Sequence, residues 1–244
     1  LICTLNDIKL SEYFAQLAKS VAKDTCGCEG RILLEKTIET INNWSSLFKP
    51  DKKRLSFEEY IGFWGELYFL YFELMPNVEF PENIPRYWTG PTGQSQNTAK
   101  QDFTFDNIAF ELKTTMAGSD KDIRISSKDQ LDKITERLYL IHLFVNQTDS
   151  HDGNSLQEIF DLIRERLSKH KISDLEFFQK AEPFRSRASD QQLHDKLSFS
   201  GLNIYLVEEN FPLLTNKNIR EGIISVKYTI SASSIIPFIV NKTI

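Results

Sequence analysis

Asp102, Glu111 and Lys113 fall within the run Gln101-Asp102-Phe103-Thr104-Phe105-Asp106-Asn107-Ile108-Ala109-Phe110-Glu111-Leu112-Lys113. Apolar and polar residues alternate on both sides of Asp106-Asn107. That pattern predicts two short strands joined by a two-residue loop whose residue types tolerate positive φ. The loop sets a register: Phe105 faces Ile108, Thr104 faces Ala109, Phe103 faces Phe110, and Asp102 faces Glu111. Opposed residues share a face with Cβ atoms roughly 5 Å apart, and Lys113, two residues past Glu111, lies on the same face. Phe103, Phe105, Ile108, Phe110 and Leu112 point the other way, into a core. Two carboxylates held together repel unless a cation lies between them, and a divalent metal ion is the natural one. The alternative on the same residues is a half-exposed hairpin with a Glu111–Lys113 ion pair on its wet face.

The elements around the hairpin must position these groups. Ser56 and Glu59 form a capping box ahead of an apolar run, which predicts a helix from Phe57 to about Met75. This helix is apolar over most of its circumference and belongs in the centre of the fold. Gly62 and Gly65 each cost about 1 kcal/mol of helix propensity relative to Ala, a cost tolerated where another backbone comes close. Glu66 follows; a carboxylate in so apolar a helix either stands at its rim or has a partner. Asn77 to Phe80 reads as a short strand. Pro81, Pro85, Gly90, Pro91 and Gly93 then mark an irregular connection running to about Lys100. It contains Trp88-Thr89-Gly90-Pro91, and either shapes a binding surface or is padding.

Beyond the hairpin, a polar loop from Gly118 to Asp122 leads to a third strand, Ile123 to Ser126. Ser127 with Gln130 reads as a second capping box, opening a short helix through Leu131 and Ile134. Tyr139 to Val145 is an apolar run of strand length, expected to be fully buried. Gln157 to His170 is an amphipathic helix, and Phe177 to Leu197 is helical in pieces. Asn203 to Glu208 and Ile223 to Ile230 alternate as strands, and Ile235 to Val240 closes the chain. At the other end, residues 7 to 23 and 30 to 48 have helical spacing and flank the turn Cys26-Gly27-Cys28-Glu29-Gly30, a helical hairpin. Lys49 to Arg54 is a basic loop, solvated or touching phosphate. The order predicts an α/β fold with a mixed β-sheet flanked by helices. Residues 1–50 form an N-terminal helical segment packed on a core of residues 51–244.

At 244 residues the chain can bury a substantial core without disulfides or metals as staples. Its three cysteines, Cys3, Cys26 and Cys28, are an odd number and do not form a secreted disulfide framework. Cys26-Gly27-Cys28 would be half of a metal site, without a second ligand pair at suitable spacing. A net charge of −5 argues against non-specific coating of nucleic acid but leaves room for a local basic groove. No apolar run reaches the ~20 residues of a membrane span. No signal peptide is visible at the start, an absence that carries little weight because the chain begins at Leu1 without a Met. The cytoplasm, with reduced thiols, is the expected compartment.

Asp102 followed by Glu111-Leu112-Lys113 resembles the D…(D/E)xK signature of the PD-(D/E)XK nuclease superfamily, and the Glu66 helix resembles the helix that often supplies a further acidic residue there. Gly62-x-x-Gly65-Glu66-Leu67, Trp88-x-Gly90-Pro91, Gln101-Asp102-Phe103, Glu111-x-Lys113-Thr114-Thr115 and Ile125-Ser126-Ser127 with Gln130-Leu131 are similar to a bacterial PD-(D/E)XK family associated with restriction and phage-defence genes. The likeness extends over about residues 30 to 240. One departure is Gln101, which stands where the superfamily nominally has proline.

The resemblance implies a restriction-endonuclease-like fold and an Mg²⁺-dependent DNA endonuclease, with Mn²⁺ as a substitute ion. Asp102 and Glu111 would hold the metal, the Leu112 carbonyl would add a ligand, and Glu66 would hold a second ion or orient a water. Lys113 would orient or deprotonate the nucleophile and stabilise the transition state. Arg124, Ser126, Ser127, Lys128 and Gln130 would contact nucleic acid, partly through a helix N-terminus; the alternative is that Ser127 and Gln130 serve only as the cap, and Arg124 only to balance Glu111. Double-stranded DNA, a second copy of the chain and proteins of a defence system are the implied partners, and a membrane is not.

Two other functions fit the same residues. One is a catalytically inactive DNA-binding or scaffolding subunit of a defence complex; the other is a nuclease for repair or recombination intermediates. His142, His151, His170 and His194 have no recognisable metal or triad spacing and read as structural or surface residues. No P-loop, GxSxG or dinucleotide motif is present.

Overall fold

The computed structural model describes residues 11–48, 53–91, 101–119, 121–215 and 218–240. Cys3, most of the basic loop and the stretch from 92 to 100 lie outside them. The chain divides into two compact units, Leu1–Lys53 and Arg54–Ile244. The first is the expected helical hairpin: α1 (Ser11–Asp24) and α2 (Gly30–Phe48). Thr40 Oγ1 donates to Asp24 Oδ2 at 2.8 Å and ties the two helices together. The turn needs a left-handed residue, and Gly27 supplies it at φ +74°.

The second unit opens on α3 (Phe57–Tyr68), started by the predicted capping box: Ser56 accepts from the Glu59 N–H, and Glu59 accepts from the Ser56 N–H. The helix continues as a π-helical turn, Phe69–Leu74. The expected strand at 77–80 is absent. Met75–Asn77 and Pro81–Asn83 are 3₁₀ turns, each with a proline near its start, where a helical turn needs no N–H. A short helix, α4 (Ile84–Tyr87), follows.

The main sheet contains β1 (Phe103–Thr104), β2 (Ile108–Met116), β4 (Arg137–Gln147), β6 (Lys196–Leu206) and β5 (Asn154–Ser155), in that spatial order. Only β2 and β4 run parallel; the other neighbours are antiparallel. This is the predicted mixed sheet. It is flanked by α3 and by α5 (Leu156–Arg166), α6 (Lys171–Arg185) and α7 (Asp190–His194).

β3 (Ile123–Ile125) is not a third strand of this sheet. It pairs with β7 (Tyr228–Ile230) in a separate two-stranded ribbon. Alternation tells which side of a strand is covered, not which strand pairs with it. Ile123, Ile125 and Ile230 bury themselves against Ala109, Leu138, Leu140 and Tyr205 of the main sheet. Of the predicted strand 223–230 only the last three residues pair, and Ile223 and Ile224 are exposed. The chain closes on a 3₁₀ helix, Ala232–Phe238.

The α3 glycines separate into two kinds. Gly65 lies against β2, where an added Cβ would collide with Thr114, whereas a Cβ on Gly62 would meet nothing within 4 Å. Close approach therefore explains Gly65 and not Gly62. Gly62→Ala is expected to raise stability by about 1 kcal/mol, read from urea unfolding, because only helix propensity changes.

Candidate active site

The hairpin forms in the predicted register, Phe103 opposite Phe110 and Thr104 opposite Ala109. The Phe105 N–H donates to the Ile108 carbonyl at 2.8 Å across the Asp106-Asn107 loop. Asp102 stands one residue before the paired segment. Its side chain replaces the next rung of the ladder: the Leu112 N–H donates to Asp102 Oδ2 at 2.7 Å. This fixes Asp102 beside Glu111 and Lys113.

The face carrying these groups is not wet. Glu111 is 1% exposed, because the β3–β7 ribbon and the last 3₁₀ helix cover the start of that face. Lys113 Nζ donates to Glu111 Oε1 at 2.6 Å. Glu111 Oε2 is buried with no hydrogen-bond partner. The ion pair of the bland alternative thus exists, but inside the protein, and it leaves one carboxylate oxygen unsatisfied. Such an oxygen costs about 1–3 kcal/mol unless something else binds it.

Glu66 joins the group from α3. Trp88 Nε1–H donates to its Oε2 at 2.8 Å. Trp88 is fully buried and bridges to Phe103, so the connection as far as Pro91 is a strut and not padding. Thr89 clamps the same place, donating from its N–H to the Asp102 carbonyl at 2.8 Å and from its hydroxyl to the Gln101 carbonyl at 2.7 Å. Lys180 holds the strut from outside, donating to the carbonyls of Pro85 and Trp88, both at 2.7 Å.

The electrostatics follow from burial and crowding. Burial, then the charge of Asp102, pushes Glu111 up to about 8. Burial also raises Asp102, against the opposing pull of Lys113 and of the Leu112 N–H. Glu66 is raised well above the carboxylate range by burial and by Asp102. Burial works against the charge on Lys113, but Glu111 and Asp102 outweigh it and hold the ammonium above its ordinary value. Three carboxylates thus share one ammonium, too little positive charge for all to ionise together.

Among the described residues no three His, Cys, Asp or Glu side chains converge closely enough to enclose a metal by themselves. The oxygens present nevertheless suit Mg²⁺, which takes one or two carboxylates and keeps several waters. Asp102 and Glu111 would hold it, with the unpartnered Glu111 Oε2 as the atom that gains most. Glu66 stands close enough to be raised by both of them.

The residues read as nucleic-acid contacts are less uniform. Ser127 and Gln130 do not cap a helix. Residues 128–132 form turns, Ser127 Oγ accepts from the Asp129 N–H at 3.2 Å, and Gln130 Oε1 accepts from the Ser126 N–H at 2.8 Å. Both side chains close a turn, so no helix N-terminus is available there. Arg124 does not balance Glu111, whose partner is Lys113; it is exposed and pairs with Thr229 on the ribbon's outer face, opposite to Ile123 and Ile125. Ser126 is also exposed, and Lys128 is half-buried.

Two buried residues matter more than their types suggested. Gln101 is 1% exposed, and its amide donates to the carbonyls of Asp129, Gln130 and Asp132 at 3.3, 3.2 and 3.0 Å. The residue standing in for proline thus ties the 127–132 turn to the residue beside Asp102. His142, 1% exposed, lies in register beside Lys113 on β4, and its Nε2 is 2.8 Å from Thr115 Oγ1. His151, His170 and His194 are exposed, as expected.

No helix among the described residues is long and apolar enough to cross a membrane. No curated protein and no solved structure matches the chain. One family model does, over residues 1–233, and its description is "Putative PD-(D/E)XK family member, (DUF4420)". With the signature residues gathered on β2 and its hairpin partner, and the match spanning nearly the whole chain, the protein belongs to this PD-(D/E)XK family.

Proposed function

We propose that the chain is a Mg²⁺-dependent endonuclease that hydrolyses DNA phosphodiester bonds, in the cytoplasm, as part of restriction or phage defence. The observation that carries the reading is the buried constellation of Asp102, Glu111 and Lys113, with an unpartnered oxygen on Glu111. A structural ion pair would leave no such oxygen and would need no second and third carboxylate beside it. A homodimer would supply the second site with which a one-site chain cuts both strands.

Bound at Asp102 and Glu111, Mg²⁺ would lower the pKa of a water and neutralise charge developing on the phosphate. The chain's own residues do the rest. Asp102, anchored on the Leu112 N–H, and Glu111, anchored on Lys113, need little reorganisation. The neighbouring carboxylates keep Lys113 protonated, which suits it to stabilise a developing oxyanion rather than to accept the nucleophile's proton. Glu66, steadied by Trp88, would orient a water.

Supercoiled plasmid incubated with the purified protein and Mg²⁺ tests this. Wild-type protein is expected to nick it, and Lys113→Ala to do so about 10³-fold more slowly, a loss of about 4 kcal/mol of transition-state stabilisation. Equal nicking by both proteins, or none by the wild type on single- or double-stranded DNA, would count against the proposal.

A further inference from the structure

The strip of sheet one pleat beyond Lys113 holds a second set of groups. Lys113 pairs in register with His142, and Thr115 pairs with Phe144, so all four side chains share the face of Glu111. His142 Nε2 and Thr115 Oγ1 are 2.8 Å apart, and the imidazole packs on Phe144 with ring centres 4.3 Å apart. The ammonium of Lys121 stands over the outer side of this group, 5.7 Å from the Phe144 ring centre. Lys121 is exposed, while Thr115 and Phe144 are half-buried.

His142 is hard to explain as packing. It interrupts the apolar run from Leu138 to Val145, and its Nδ1 is buried without a hydrogen-bond partner. A leucine there would avoid the cost of that nitrogen. What the imidazole does provide is a fixed bond to the Thr115 hydroxyl.

We infer that Thr115 and Lys121 form a subsite for the phosphate adjoining the scissile one, with His142 as the positioning residue that orients the Thr115 hydroxyl. The inference rests on the nuclease reading above and adds to it the path of the substrate strand. Thr115 lies two residues beyond Lys113, roughly 6.6 Å along the strand, comparable to the spacing of neighbouring phosphates on one nucleic-acid strand. A hydroxyl, an ammonium and an aromatic face are the groups that bind a phosphate and the sugar next to it. The strand therefore runs across β2 toward Lys121, away from the core cluster under the ribbon.

The test uses the full chain, supercoiled plasmid with Mg²⁺ for cleavage, and a duplex oligonucleotide with Ca²⁺ for binding. Lys121→Gln is expected to weaken binding and to reduce the slope of log affinity against log salt by about 1. Thr115→Val and His142→Leu are each expected to raise KM several-fold with little change in kcat. Thr115→Ser, which keeps the hydroxyl, and His142→Gln, which keeps a donor, are expected to restore it. Unchanged salt slope and KM in these variants, with an active wild type, would overturn the subsite and leave the nuclease reading standing. Wild-type protein that neither binds nor cleaves would overturn both. Loss of kcat in Thr115→Val without a change in KM or salt slope would place Thr115 in the chemistry and also overturn the subsite.

Discussion

Glu111→Gln is expected to lower phosphodiester cleavage by at least about 10³-fold and, at the same time, to make the metal-free protein more stable. The two effects have one cause. The folded chain crowds Asp102, Glu111 and Glu66 round a single ammonium, and burial with the charge of Asp102 raises Glu111 from 4.5 to about 8. Between those values the folded state holds a proton that the unfolded state has released. The contribution of this group to stability is therefore present at acid pH and is lost as pH rises through about 8. Metal-free wild-type protein should melt at progressively lower temperature as the buffer goes from about pH 5 to about pH 9. Glu111→Gln should flatten that dependence and add roughly 1–2 kcal/mol near pH 8. The glutamine keeps an oxygen for Lys113 but has no charge to offer a cation. Thermal melts in EDTA across this range check the prediction; a Glu111→Gln protein less stable than wild type at the alkaline end would contradict it.

The second large effect is structural. Gly65→Ala would drive a Cβ into Thr114 Oγ1 and leave it 3.0 Å from Thr114 Cβ. The first contact forces a shift and the second is tight, so the Thr114 side chain must turn or α3 must move away from β2, at a cost of about 2–4 kcal/mol. Glu66 is the next residue and would move with the helix, so metal affinity should fall along with stability. Thr114→Ala removes the nearer of the two contacts and should recover part of the loss when combined with Gly65→Ala. Urea unfolding of the two single variants and the double variant gives the coupling directly. Additive effects would show that the helix–strand contact does not limit the approach.

The hairpin was readable because a two-residue loop leaves one register, and that register alone put Asp102, Glu111 and Lys113 on one face. Glu66 was readable because a carboxylate in so apolar a helix needs a partner; it has one in Trp88. What was not readable depended on pairing across distance. Ile123 to Ile125 alternates like any strand, and only the partner 105 residues on, Tyr228 to Ile230, takes it out of the main sheet. Ser127 and Gln130 have the spacing of a helix cap, yet the same atoms close a turn, because Gln101 already draws the carbonyls of residues 129, 130 and 132 inward. His142 was invisible as a site residue for a similar reason. A histidine in an apolar run reads as core until the parallel pairing of β2 with β4 brings it beside Lys113.

Calorimetric titration of the metal-free protein with Mn²⁺ tests the central claim most directly, since it needs neither a substrate sequence nor a partner. Metal must displace the proton that Glu111 holds, so binding should release protons and tighten as pH rises toward about 8. The wild type is expected to give a saturable heat signal with that pH dependence, and Asp102→Ala to lose it. A signal that survives in Asp102→Ala, or a wild type that shows none at any pH, would contradict the assignment of Asp102 and Glu111 as a metal centre.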